Sequence, residues 1–144
     1  MNTQLLKAGL GAFVAMFLLS FLWYGIIASG YYETTFSGIA RTAEEMSMPS
    51  IALGYLLLGF LLAYAFPHGY TGGSATSEGA RFGLLMGLLI ALPQAFINAG
   101  AYDVPLQASL VDALYRLVEI TVAGMVTALL YGGGAAEASS AVEG

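Results

Sequence analysis

Residues 5–28, LLKAGLGAFVAMFLLSFLWYGIIA, hold a single charge, Lys7, and a run of that kind dictates the solvent in which the chain folds. At about 1.5 Å per residue a helix of this length covers the roughly 30 Å hydrocarbon core of a bilayer. No water is available there to bond free N–H and C=O groups, so a crossing segment satisfies them internally, as a helix does. A secretory signal peptide also begins basic and turns apolar, but its apolar region is only about 7 to 15 residues. This run is longer and ends in Trp23 and Tyr24, residues that suit an anchor at the membrane interface.

Three further runs follow, at residues 49–66, 79–101 and 106–131. Pro49 fits the first turn of the second span and Pro67 is expected to close it. Pro93 is expected to kink the third. Residues 30–48 are polar enough to leave the bilayer. Phe36, Ile39, Ala40, Ala43 and Met46 recur there at helical spacing opposite Arg41, Glu44 and Glu45. That pattern fits either a short amphipathic surface helix or a loop with a turn of helix. Residues 67–78 read as a Gly- and Ser-rich loop in which Ser77 caps the next helix. The connection at residues 101–107 is short, so the third and fourth spans should be antiparallel neighbours. Residues 132–144, GGGAAEASSAVEG, read as a flexible tail with no apolar face to bury.

Composition agrees. The chain is 58% apolar and 9% charged, with a mean hydropathy of +0.79, whereas about a quarter of a soluble domain is charged. It has no cysteine and one histidine, His68, which leaves no disulfide framework, no thiolate nucleophile and no Cys-ligated metal and argues against a zinc or bis-His haem site, so no metal and no cofactor is expected. His68, between Pro67 and Gly69, reads as a solvated loop residue. Four basic residues and a net charge of −5 argue against nucleic acid as a partner and against a polybasic lipid-binding patch. The expected partner is the bilayer, with self-association or membership of a larger membrane complex open.

The expected fold is all-α, a bundle of four transmembrane helices formed by residues 1–131 as one domain. A shift of 70 residues matches Gly9 with Gly79, Met16 with Met86, Leu22 with Leu92 and Tyr32 with Tyr102. The bundle could therefore be two tandem helix hairpins. Four spans put both termini on one side, and Lys7 and Arg81 near that side favour the cytoplasm of a bacterial inner membrane.

The last run carries charges. In SLVDALYRLVEITVAG, residues 109–124, Asp112, Arg116 and Glu119 fall within roughly a 60° sector of a helix turning about 100° per residue. A lone charge at the bilayer centre costs about 2.5 to 3.5 kcal/mol on insertion scales. Spacings of four and three residues let Arg116 bridge both acids, which offsets much of that cost. On the third span Gly79, Gly83 and Gly87 repeat every four residues, a small-residue stripe along which another helix can approach closely. The same sector continues to Gln94 and Asn98, at the depth of Asp112. Ser20 and Tyr24 of the first span and Tyr55 of the second lie in that half of the bundle too. Together these residues could line one pocket, closed below by Glu119.

FLWYG at residues 21–25, a polar loop, a Gly-patterned third span and LVDALYRLVEITVAG at residues 110–124 resemble a family of small bacterial and fungal integral membrane proteins known only as a domain of unknown function. The resemblance covers residues 5–131. It implies a four-helix membrane protein and brings no established activity and no catalytic residues.

Two functions stay open. The polar cluster holds the helices together in a structural or accessory membrane protein, or it lines a path for protons or a small polar solute through an oligomeric carrier or channel. An intramembrane enzyme has less support, because no Ser/His/Asp set is present and an Arg-bridged acid pair is a poor general acid and base.

Overall fold

The computed structural model describes the backbone of residues 2–142 and the side chains through residue 132. Among the described residues every regular element is helical. Helix α1, Thr3–Leu22, opens on Asn2, whose side-chain oxygen accepts the Gln4 N–H at 3.1 Å. It runs on without a break into one π-helical turn, Trp23–Ile27. Ala28 then leaves helical geometry and a short α2, Ser29–Thr35, folds back over the end of α1. The amphipathic pattern at residues 36–46 does not become a helix; turns fill that stretch, with Gly38 at φ 82°. Helices α3, Met48–Gly69, α4, Ala75–Ala101, and α5, Leu106–Val142, complete the chain. Four segments are long and apolar enough to cross a membrane: Thr3–Ile27, Met48–Gly69, Ala75–Ala101 and Leu106–Gly132.

Boundaries differ from the sequence reading in three places, each for a local reason. Helix α3 passes through Pro67 to Gly69, because a proline in a last turn gives up one hydrogen bond at a frayed end. His68 thus sits on a helix rather than in a loop, with Nδ1 3.2 Å from the Tyr64 carbonyl. The cap of α4 is Ser74, not Ser77: Ser74 Oγ accepts the Ser77 N–H at 3.4 Å. Glu78 then reaches back to accept from the Thr71 N–H at 2.9 Å and the Thr71 hydroxyl at 2.7 Å, pinning the loop to the helix. The backbone of α5 continues helical through Val142, where a tail was expected from residue 132. Its alanines are strong helix formers and no proline interrupts it. The flexibility expected of residues 132–144 concerns positions that, from 133 on, have side chains outside the described residues.

The helices pack as two antiparallel hairpins, α1 with α3 and α4 with α5, joined by contact between α1 and α5, while α3 barely touches α4. The α4–α5 pairing is the most extensive and glycine makes it possible. A Cβ on Gly83 would stand 2.7 Å from the Ile120 carbonyl oxygen and the Thr121 Cα, and one on Gly79 2.6 Å from the Gly124 oxygen. Across the joint, a Cβ on Gly124 would meet the Gly79 oxygen at 2.5 Å. Gly59 has the same role between α3 and α1, 2.6 Å from the Gly9 oxygen by the same construction. Backbones this close gain dispersion contacts, which drive helix association in lipid, where apolar burial gains nothing. Met16, Leu62, Phe66, Phe82 and Ile120 fill the half of the bundle toward the α3–α4 connection. Leu57, Leu61, Leu85, Leu89, Leu114 and Val118 point outward and are exposed, the distribution expected when the solvent is itself apolar.

Candidate functional site

The charged face of α5 meets the π-turn and α2 at the end of the bundle where α1 ends and α5 begins. Asp112 is the centre. Its Oδ1 accepts from the Tyr24 hydroxyl at 2.5 Å and the Tyr32 hydroxyl at 3.0 Å, and its Oδ2 accepts from Arg116 Nε at 3.1 Å. Tyr32 also receives the Trp23 indole N–H at 3.3 Å. One carboxylate thus ties together the π-turn, α2 and α5. Aromatic rings enclose it. Trp23 stacks on Tyr115 with centroids 4.9 Å apart and planes 3° from parallel, and Tyr24 meets Tyr115 and Tyr32 edge to face at 5.2 and 4.8 Å. Trp23 and Tyr24, expected to anchor at an interface, are the walls of this node. The widened turn that carries them is of a kind often found at functional sites.

Arg116 does not bridge both acids. Among the described residues its one ion pair is with Asp112, and Glu119 accepts instead from the Tyr115 hydroxyl at 2.9 Å. The reason is directional. Helical side chains lean toward the N-terminus, so Arg116 reaches back to the turn of Asp112 and Glu119 reaches back over Tyr115. Glu119 is fully buried, and its Oε2 has no hydrogen-bond partner among the described residues. The Tyr55 hydroxyl lies beside this carboxyl but donates its proton to Ser20 Oγ at 2.7 Å.

The expected single pocket is therefore two layers. Tyr24, Asp112 and Arg116 form the outer one; Ser20, Tyr55 and Glu119 form the inner one, with Tyr115 spanning the two. Among the described residues Gln94 and Asn98 do not bond the charged side chains. Gln94 Nε2 donates to Asn98 Oδ1 at 2.7 Å, and both line a cavity of about 150 Å³ between α4 and α5, together with Ser109, Asp112 and Arg116. The packing stripe of Gly79, Gly83 and Gly87 continues through the buried Ala91 and Ala95, which line this cavity.

The sequence reading missed Tyr32, Trp23, Tyr115 and Ser109 as site residues. Tyr115 was findable, four residues before Glu119 on the same helical face. Tyr32 was not, because its role depends on α2 folding back. Burial pushes the Tyr32 phenol up to about 12, despite the Trp23 indole donating to it. Among the described residues no three carboxylate or imidazole side chains converge as metal ligands would.

A family model described as a protein of unknown function, DUF1761, matches residues 8–128. No curated protein and no solved structure matches the chain.

Proposed function

The chain belongs to the DUF1761 family of proteins of unknown function, and on that premise we propose a structural or accessory role in a membrane, without catalysis, in which Asp112 latches the bundle. The observation that carries this reading is the engagement of both Asp112 oxygens. Its carboxylate accepts two phenolic hydroxyls through Oδ1 and a guanidinium N–H through Oδ2, so three of its roughly four acceptor positions hold elements together. A conduit would need polar groups along the whole bundle, and the half toward the α3–α4 connection is filled by Met16, Leu62, Phe66, Phe82 and Ile120. Both termini face the cytoplasm in this proposal, Lys7 and Arg81 flanking that side of a bacterial inner membrane. A second copy or a larger membrane complex is the natural setting, since four helices bury little of their own surface.

Unfolding in detergent micelles and proton flux in proteoliposomes test the role together. Asp112→Asn and Tyr24→Phe should each lower unfolding stability by about 1 to 3 kcal/mol, the cost of a broken charged hydrogen bond, while the parent carries no pH-driven flux. A flux in the parent that disappears in a fully folded Asp112→Asn protein would overturn the latch in favour of a pathway.

A further inference from the structure

The latch leaves one set of polar groups unused, and they surround the cavity between α4 and α5. Ser109 is 4% exposed, lines that cavity, and its hydroxyl has no partner among the described residues. The contrast with its neighbours is informative. Thr121 and Thr127, on the same helix, bond back to the Leu117 and Ala123 carbonyls at 2.6 and 2.8 Å, the usual resort of a helical hydroxyl in an apolar setting. Ser109 does not, and a buried hydroxyl left unpaired costs about 1 to 3 kcal/mol. Arg116 also lines the cavity, and among the described residues only its Nε is bonded. Asn98 accepts through Oδ1 from Gln94, which leaves its Nδ2 donors unspent. Asp112, the acidic wall, has its oxygens committed to Tyr24, Tyr32 and Arg116.

The free valences are therefore mostly donors, on three separate side chains: a guanidinium fork, an amide and a hydroxyl. Three donor groups converging from two helices suit an acceptor with several oxygens in different directions, a tetrahedral oxyanion rather than a planar one. At about 30 Å³ per water, the cavity volume of about 150 Å³ holds some five waters, or one compact group of this kind. Depth fits as well. Counted at about 1.5 Å per residue from the first turn of α5, Ser109 and Asp112 lie within roughly 10 Å of that helix end, the headgroup boundary of a span this long. Gln94 is exposed on the flank of α4, so the site is open to the membrane side.

We infer that this cavity binds a phosphate group, held by Arg116, Ser109 and Asn98, carried either by a phosphomonoester lipid headgroup or by a free phosphate ion. The site goes beyond the latch and is read by a different measurement, so either can fail alone.

The protein in nanodiscs of phosphatidylcholine, with and without phosphatidate, is titrated for retained phosphatidate, and separately with inorganic phosphate by calorimetry. Saturable binding to one or both probes is expected, weakened roughly tenfold by Ser109→Ala, which removes the hydroxyl without adding bulk, and further by Arg116→Lys, which loses the fork. Should Ser109→Ala fail to fold, Ser109→Cys, of nearly the same shape and a much weaker donor, supplies the loss. Retention of phosphatidate alone identifies a lipid headgroup, and binding of inorganic phosphate identifies a free anion; each supports the site. No saturable binding of either probe, or binding unchanged in folded Ser109 and Arg116 variants, overturns it.

Discussion

Asp112 and Glu119 are two carboxyls on one helical face with opposite surroundings. Asp112 is partly exposed and bonded through both oxygens, whereas Glu119 is sealed and has one oxygen without a partner among the described residues. Burying a charge without full pairing is costly, and an amide of the same shape avoids that cost while still accepting from Tyr115. Glu119→Gln should consequently match or exceed the parent in thermal stability. Glu119→Ala should lose about 2 kcal/mol or more, since it leaves a cavity and an unpaired Tyr115 hydroxyl. Thermal unfolding of both in one detergent decides the matter, and a Gln variant markedly less stable than the parent would mean that Glu119 has a partner this structure does not give it. At this scale the sequence identified the acids and their shared face. It misassigned their partners, because an i,i+3 spacing allows Arg116 to meet Glu119 and only the lean of helical side chains rules against it.

The element scale is governed by where backbones touch. Gly83 faces the Ile120 carbonyl oxygen and Thr121 backbone, whereas Gly54 on α3 has nothing among the described residues within 4 Å of an added Cβ. The same substitution should therefore have opposite signs. Gly83→Ala pushes α4 off α5 and should cost about 1 to 3 kcal/mol, while Gly54→Ala only stiffens the helix and should gain about 0.5 to 1 kcal/mol. Detergent unfolding midpoints that move the same way for both would count against glycine as the spacer of the α4–α5 joint. The spacing of Gly79, Gly83 and Gly87 made that face legible from the sequence, since a period of four on a helix is a stripe. The π-turn and α2 were not legible. WYGII is ordinary helical sequence, and the amphipathic pattern of residues 36–46 lies just beyond the helix that forms. A pattern of polarity says which side of a segment meets lipid, not where its backbone bends.

For the whole molecule the decisive contacts join residues 88 and 80 apart in the chain, Tyr24 and Tyr32 to Asp112. They hold α2 against the bundle end, and their sequestration can be read by titration. A half-buried phenol resists ionisation, so the folded Tyr32 loses its proton near pH 12, above the usual value of 10.0. A folded-state value raised in this way gives stability that is fully present below the unfolded value and lost as pH rises through the folded one. The parent-minus-Tyr32→Phe difference in tyrosinate absorbance should thus have its midpoint near pH 12, with α2 released above it. A midpoint near 10 would mean that α2 does not pack as described. Hydropathy by itself determined the solvent, the number of crossings and their antiparallel order. Those follow from the cost of carrying unpaired backbone groups into lipid, a cost that any single segment reveals. Which hydroxyls reach Asp112, why Glu119 stands apart and why Ser109 has no partner among the described residues were decided only by tertiary structure. Each depends on the rotation of one helix against another, and in lipid that rotation is set by backbone contact and hydrogen bonding between segments, for which hydrophobic patterning carries no signal.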